Sequence, residues 1–466
     1  MTRARGGRAA NAGIAEPVAH AGRRGKRRCA SIAHLRGYGM LRGRRGSSRM
    51  RTWLVMPILA ALLAGCAHKP VSLGGCDLPR TPLRTEVARG AVGGAETGYE
   101  ALIAGAIAGA PGAVGVAERP VLLFLSGGSQ NGAFGAGFID QWRVRGGGLP
   151  AFRVVTGVST GSLLATPIFV GRSERAVAGY TIDAEADILD VQARGLIGVV
   201  RKGAAGTLVP LRGRLDRMFD SAPGVDDDAL LGEVATAADQ RRKLLVGVVD
   251  LRGGDAWAVD MTALAQRWRE ADAAAKPQIK RCYIETLIAS SSVPAAAPPV
   301  YIDDVMYIDG GARFGLFRAA EDRALLAART ARGPAPLALR VVNGTLETEA
   351  QCPFVTAKGA ACPATGRLRD WDFADSAQRA VKILTNQIYR FSAAAATLPG
   401  DPPVALIGPD AGEHLFASGG ETLSCDAWRA LDNADKPAPV EFHKRQMRCL
   451  IDYGRARADA LKWWTL

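Results

Sequence analysis

The chain has 466 residues, 59 basic and 45 acidic, for a formal net charge of +14. That length suits one large domain or two modest ones with a core that needs no staples. Residues 1–65 carry fourteen Lys and Arg against one acid, Glu16, leaving 45 basic and 44 acidic residues in the rest. The body is therefore near neutral, and the charge gives no electrostatic case for nucleic-acid binding.

Residues 1–49 are rich in Arg and Gly with no apolar periodicity, as expected for a disordered basic extension or for a start codon placed too early. Met50-Arg51-Thr52 then opens a short positive segment, and Trp53 to Leu63 is an apolar run too short for a confident membrane span. It ends in Leu63-Ala64-Gly65-Cys66, which resembles the lipobox of bacterial lipoproteins. The resemblance implies a signal peptide over 50–65, a lipidated Cys66 as the first mature residue, and membrane attachment through that lipid. Ala67 in place of Asp favours the outer membrane of a Gram-negative envelope by the same resemblance.

Residues 66–118 read as a Gly- and Ala-rich tether with one weak helix near Gly98 to Ala108. A compact α/β pattern begins at Val121. Val121 to Leu125 reads as a buried strand, Ser126 to Gly132 as a glycine-rich turn, and Ala133 to Trp142 as a small-residue helix. Phe152 to Thr156 is a second buried strand, running into Gly157-Val158-Ser159-Thr160-Gly161 and a helix-compatible run from Ser162 to Val170. Strand–loop–helix repeated twice suggests a parallel sheet with helices on its faces. Leu244 to Val249 with Trp257 to Val259 reads as a hairpin, as does Tyr301 to Ile308 turning at Asp303-Asp304 and delivering Asp309-Gly310-Gly311. Leu287 to Ala297 is small and apolar and belongs in the core. Leu337 to Val342 is another buried strand. A long helix from Ala374 to Ala396, a strand from Val404 to Ile407 and a terminal helix from Val440 to Trp464 complete the order. The Trp463-Trp464 end reads as a packed helix terminus.

Six cysteines follow Cys66: Cys76, Cys282, Cys352, Cys362, Cys425 and Cys449. An even number fits an exported chain with up to three disulfides, and local spacing favours Cys352–Cys362 and Cys425–Cys449. No C-x-x-C or H-E-x-x-H spacing occurs, so neither a metal site nor a cofactor is expected.

The G-x-S-x-G at 157–161 has the strand–turn–helix context of a nucleophile elbow, with Gly157 and Gly161 keeping Cβ atoms out of a close strand–helix approach. A serine nucleophile needs a base and oxyanion donors. The five histidines are His20, His34, His68, His414 and His443, and none lies between 69 and 413. A Ser–Asp–His triad would have to borrow His414; His443, in a charged helical stretch, reads as a surface residue. The other route is Asp309, set on a tight turn at a strand end. An ordinary Asp has a pKa of about 4 and is a weak base for a serine hydroxyl, so a desolvated site is required. Gly127, Gly128, Ser129 and Gly132 crowd backbone N–H groups at a helix N-terminus, an arrangement that attracts negative charge.

In order, Leu125-Ser126-Gly127-Gly128 continuing to Asn131 through Gly137, then Gly157 to Gly161, then Ala289 to Ala295, then Asp309-Gly310-Gly311 together resemble the patatin-like phospholipases over roughly 119 to 345. The resemblance implies a three-layer α/β fold, a central mostly parallel sheet flanked by helices, with 346–466 as a C-terminal α/β extension packed on the core. It implies Ser159 as nucleophile, Asp309 as base without a catalytic histidine, and an oxyanion hole at Gly127, Gly128 and Ser129, supported by Gly132, with the Thr160 N–H as a further donor. The implied activity is hydrolysis of fatty-acyl esters of phospholipids or related lipids. Two positions depart from the pattern: Ser129 stands where a third glycine is usual, and Asn131 where a cation is usual. The Ser129 donor survives on the expectation that its φ stays negative. These departures are what would support the remaining reading, an envelope lipoprotein that keeps the scaffold without catalysis.

Overall fold

The computed structural model describes residues 71–83, 98–108, 119–194, 198–199, 203–222, 224–225, 227–317, 335–348, 351–355, 362–370, 373–395 and 401–466. The expected extension 1–49 and signal peptide 50–65, with Cys66, His20, His34 and His68, lie outside the described residues.

The strands in chain order are β1 (Ser72–Leu73), β2 (Arg80–Pro82), β3 (Val121–Leu125), β4 (Val154–Val158), β5 (Asp190–Val191), β6 (Gly206–Thr207), β7 (Lys243–Asp250), β8 (Ala256–Asp260), β9 (Val300–Ile302), β10 (Val305–Asp309), β11 (Leu337–Val342), β12 (Ala405–Leu406), β13 (Leu415–Ser418) and β14 (Glu421–Ser424). The helices are α1 (Gly98–Ala108), α2 (Gly132–Arg145), α3 (Thr160–Phe169), α4 (Ser173–Tyr180), α5 (Val209–Met218), α6 (Ala229–Asp239), α7 (Met261–Glu270), α8 (Lys276–Ser290), α9 (Phe373–Ala395), α10 (Cys425–Ala434) and α11 (Lys444–Leu461). Among the described residues no helix is long and apolar enough to cross a membrane.

The central sheet runs β1-β9-β10-β7-β4-β3-β11-β12, with β8 and β2 added beyond β7. From β7 through β4, β3 and β11 to β12 every pair is parallel. These strands are buried on both faces, which is why they read as continuous apolar runs. Along β3, Leu123 and Leu125 join the large core under the helices, while Leu122 and Phe124 join a second core with Tyr99, Ile103 and Ala106 of α1. The result is an α/β protein of three layers, with helices on both sides of the sheet.

Three expectations are corrected. Residues 71–83 are not a tether, while the helix expected near Gly98 to Ala108 forms as α1. β1 pairs with β9, β2 pairs with β8, and α1 covers the second face of the sheet. The Asp303 carboxylate accepts the N–H groups of Cys76 at 3.0 Å and Asp77 at 2.8 Å, and Cys76 is bridged to Cys282. The two local disulfides, Cys352–Cys362 and Cys425–Cys449, form as the spacing favours. Secondly, His443 is buried rather than on the surface: it precedes α11, its Nδ1 faces the Gln130 side-chain oxygen at 3.1 Å and its Nε2 faces Asn433. Thirdly, Ser129 has φ +51°, not a negative value.

The C-terminal segment is bound into the same body. β12 extends the parallel sheet, and α11 crosses α2 so closely that a Cβ on Gly454 or Gly137 would strike the backbone of Phe134 or Ile451. Trp463 is buried, edge-on to Phe138 and Trp142, so the tryptophan end is a packed terminus.

Candidate active site

β7 is the strand that assembles the site. Its first half pairs with β4, ending at Val158↔Gly247, and its far edge is occupied by β8. The next position on the β4 edge is taken by the antiparallel β10, with Asp309↔Val248. The ends of β4 and β10 thus meet on consecutive residues of one strand edge, which brings the residue after Val158 beside Asp309. Asp303 and Asp304, at φ +49° and +61°, make the tight turn that returns β10 in this register.

Ser159 sits between β4 and α3 with φ +53° and ψ −125°, the strained turn that exposes an elbow nucleophile. A Cβ on Gly157 would meet the Gly161 backbone, and one on Gly161 would meet the carbonyls of Leu125 and Ser126, so both flanking glycines are required by close approach. The Ser159 N–H donates to Ser290 Oγ at 2.9 Å, and Ser290 Oγ donates on to the Gly247 carbonyl at 2.7 Å. The Asp309 N–H donates to the Ser292 carbonyl at 3.1 Å. The small-residue block at 289–295 therefore anchors both turns from one side.

The Ser159 side chain stands next to the Asp309 carboxylate and favours its charged form, and that carboxylate accepts the Gly311 N–H at 2.6 Å. Both side chains are buried. Burial pushes the Asp309 carboxyl up to about 7, against the lowering pull of Ser159 and of the Gly311 N–H. A carboxylate with that affinity for a proton is suited to exchange one near neutral pH.

His414 is not part of this arrangement. Its Nε2 lies 2.9 Å from Asp452 and its ring packs edge-on to Tyr453, both on α11, and it does not line the cavity at Ser159. Among the described residues no cluster of His, Cys, Asp and Glu could hold a metal ion.

The glycine turn lies over the elbow. Thr160 opens α3, where the first N–H groups have no intrahelical acceptor. Gly132 opens α2 against Thr160 Oγ1 and Tyr180, leaving no room for a Cβ. Gly128 has φ +149° and packs on the Asn343 carbonyl. Ser129 holds a left-handed conformation that costs an L-residue roughly 1 kcal/mol. Gly127 departs from expectation: its N–H donates to the Gly315 carbonyl at 3.2 Å and is committed to the scaffold.

Asn343, missed in the sequence, fixes the start of this loop. Its N–H donates to Ser126 Oγ at 2.8 Å and its Nδ2 to the Ser126 carbonyl at 2.9 Å. Gln130 is fixed by His443, whose N–H donates to its side-chain oxygen at 2.9 Å. Tyr389 of α9, also missed, reaches from the C-terminal segment to Gly127 beside Ser159.

A cavity of about 980 Å³ opens from Ser159 and Asp309. Its walls are mostly apolar and include Leu163, Leu211, Leu215, Met218, Leu384 and Ile388. Ser159 and Asp309 thus face a chamber whose lining is mostly apolar, with charged residues such as Arg175, Arg214 and Arg217 also on its wall, a mix that suits an acyl ester with a polar part.

Residues 123–319 match the family model described as Patatin-like phospholipase. The chain carries a patatin-like phospholipase domain. This places it with the lipid acyl hydrolases in general terms. A search of curated proteins found no match. Among solved structures the chain is similar to VipD from Legionella pneumophila, at 12% identity and a TM-score of 0.32, covering 74% of this chain and 67% of that one. The matched residues hold both patatin turns, Ser159 and Asp309, and end before Asn343 and Tyr389.

Proposed function

We propose that this patatin-like domain hydrolyses fatty-acyl esters of phospholipids or related lipids through Ser159 and Asp309, by way of an acyl-serine intermediate. The single observation that carries the reading is an elbow serine beside a buried carboxylate whose proton affinity sits near neutrality, both lining one mostly apolar cavity.

Ionised Asp309 accepts the Ser159 proton as Oγ bonds to the ester carbon and the carbonyl π pair moves onto oxygen. The N–H groups of Gly128, of Thr160 and of Ser129, whose positive φ is the conformation a glycine there would take, are the backbone donors for that charge. On collapse the C–O bond to the alcohol breaks, and the leaving oxygen takes the proton from Asp309. Water then attacks the acyl-serine with Asp309 again as base, releasing the fatty acid and restoring the Ser159 hydroxyl.

Lipidation of Cys66, with attachment to the outer membrane, is the setting we propose for this activity. The three disulfides are consistent with an oxidising compartment. Ser159→Ala tests the reaction: hydrolysis of a short-chain nitrophenyl ester falls by at least about 10³-fold, and retained hydrolysis would refute the nucleophile.

A further inference from the structure

Tyr389 comes from outside the matched residues yet stands at the reacting centre. A Cβ placed on Gly127 would collide with the Tyr389 hydroxyl and lie 3.0 Å from Ser159 Cβ. A Cβ on Gly311, next to Asp309, would lie 3.5 Å from the same hydroxyl. The phenol oxygen therefore sits between the donor loop, the nucleophile and the base, and Tyr389 lines the cavity with Ser159 and Asp309.

We propose that the Tyr389 hydroxyl donates a hydrogen bond to the ester carbonyl oxygen as that oxygen gains negative charge, taking the place of the Gly127 N–H. The proposal rests on the Ser159–Asp309 reading. The Gly127 N–H, the first donor expected of the glycine turn, is spent on the Gly315 carbonyl, and the hydroxyl stands at the same residue.

The donor is pre-positioned rather than recruited. The ring lies in a slot made by Gly315 and Gly344, where a Cβ would approach ring carbons to 2.7 Å and 2.5 Å. α9 is pinned on either side of the tyrosine: Ser392 Oγ accepts the Gly315 N–H at 3.0 Å, and Asn386 Nδ2 donates to the Thr345 carbonyl at 2.8 Å. A fixed O–H aimed at developing charge in a buried site stabilises the transition state without reorganisation. Burial, with the Asp309 charge adding to it, pushes the phenol pKa up, so the hydroxyl keeps its proton while Asp309 titrates.

Tyr389→Phe in the full chain keeps the ring in its slot and removes only the O–H. With a short-chain nitrophenyl ester, kcat is expected to fall on the order of 10²-fold, with KM within about twofold and an unchanged thermal midpoint. A kcat within twofold of wild type would overturn the proposal. So would a rise in kcat, which would make the tyrosine a plug. If Ser159→Ala is inert while Tyr389→Phe is fully active, only the tyrosine's role fails. If Ser159→Ala retains activity, the underlying nucleophile assignment fails.

Discussion

The elbow and the donor loop are neighbours built in different ways. Ser159 is held by its own strand and helix: Gly157 and Gly161 admit the close approach, and β7 sets it beside Asp309 through main-chain pairing. The loop from Gly127 to Asn131 is held by distant partners: Asn343 at Ser126, Gly315 at Gly127, His443 at Gln130, and Tyr389 over Gly127. Ser159 is thus placed chiefly by the sheet, with Ser290 on its N–H, whereas the groups expected to stabilise charge depend on Gly315 and on more distant residues of the C-terminal half of the chain. Substitutions in that half should lower the rate while leaving Ser159 in place.

Asp309→Asn should have the largest effect, on the elbow side of this contrast. Loss of the base should lower kcat/KM by about 10³-fold. It should also stabilise the fold, in a pH-dependent way. The folded carboxyl is raised to about 7 from an ordinary 3.8, so its favourable share of stability is full below about pH 4 and is lost as pH rises through about 7. Asn carries no charge to bury, so the variant's thermal midpoint should exceed wild type at about pH 8 and not at about pH 4. An equal difference at both would contradict the burial of the charge.

Asn343→Ala probes the loop side. It removes the amide donor to a buried carbonyl, at a cost of about 1–2 kcal/mol, and should lower kcat about tenfold by loosening the donors. Labelling of Ser159 by a fluorophosphonate should persist at a reduced rate. Complete loss of labelling in a folded variant would show that the elbow depends on the loop after all. The smallest effect belongs to His414→Ala. Its polar contact with Asp452 is partly exposed and worth at most about 1 kcal/mol. Activity within about twofold of wild type is expected by kinetic assay, and a large loss would revive a histidine triad.

The same contrast explains what was legible in the sequence. The elbow, the two-aspartate hairpin and the buried strands carry their information in consecutive residues, as apolar runs, glycine spacing or turn chemistry, and they fold as read. β1 and β2 are two and three residues long, too short to show a period, so the segment around Cys76 read as a tether. The Cys76–Cys282 bridge spans 206 positions, and nothing local announces it. Asn343 and Tyr389 reach the site only through the sheet edge and the docking of α9. Ser129 read as a tolerable replacement if its φ stayed negative; the loop instead holds it at +51°, the conformation a third glycine would have taken freely.

The central claim is that Asp309 is the base for Ser159. The most direct test is the pH dependence of fluorophosphonate labelling, mapped to the Ser159 peptide, in wild type and Asp309→Asn. The account predicts that the wild-type rate rises with pH through a single ionisation near 7, and that the variant is slow and lacks that inflection. An unchanged inflection in Asp309→Asn, or labelling at wild-type rate, would contradict it.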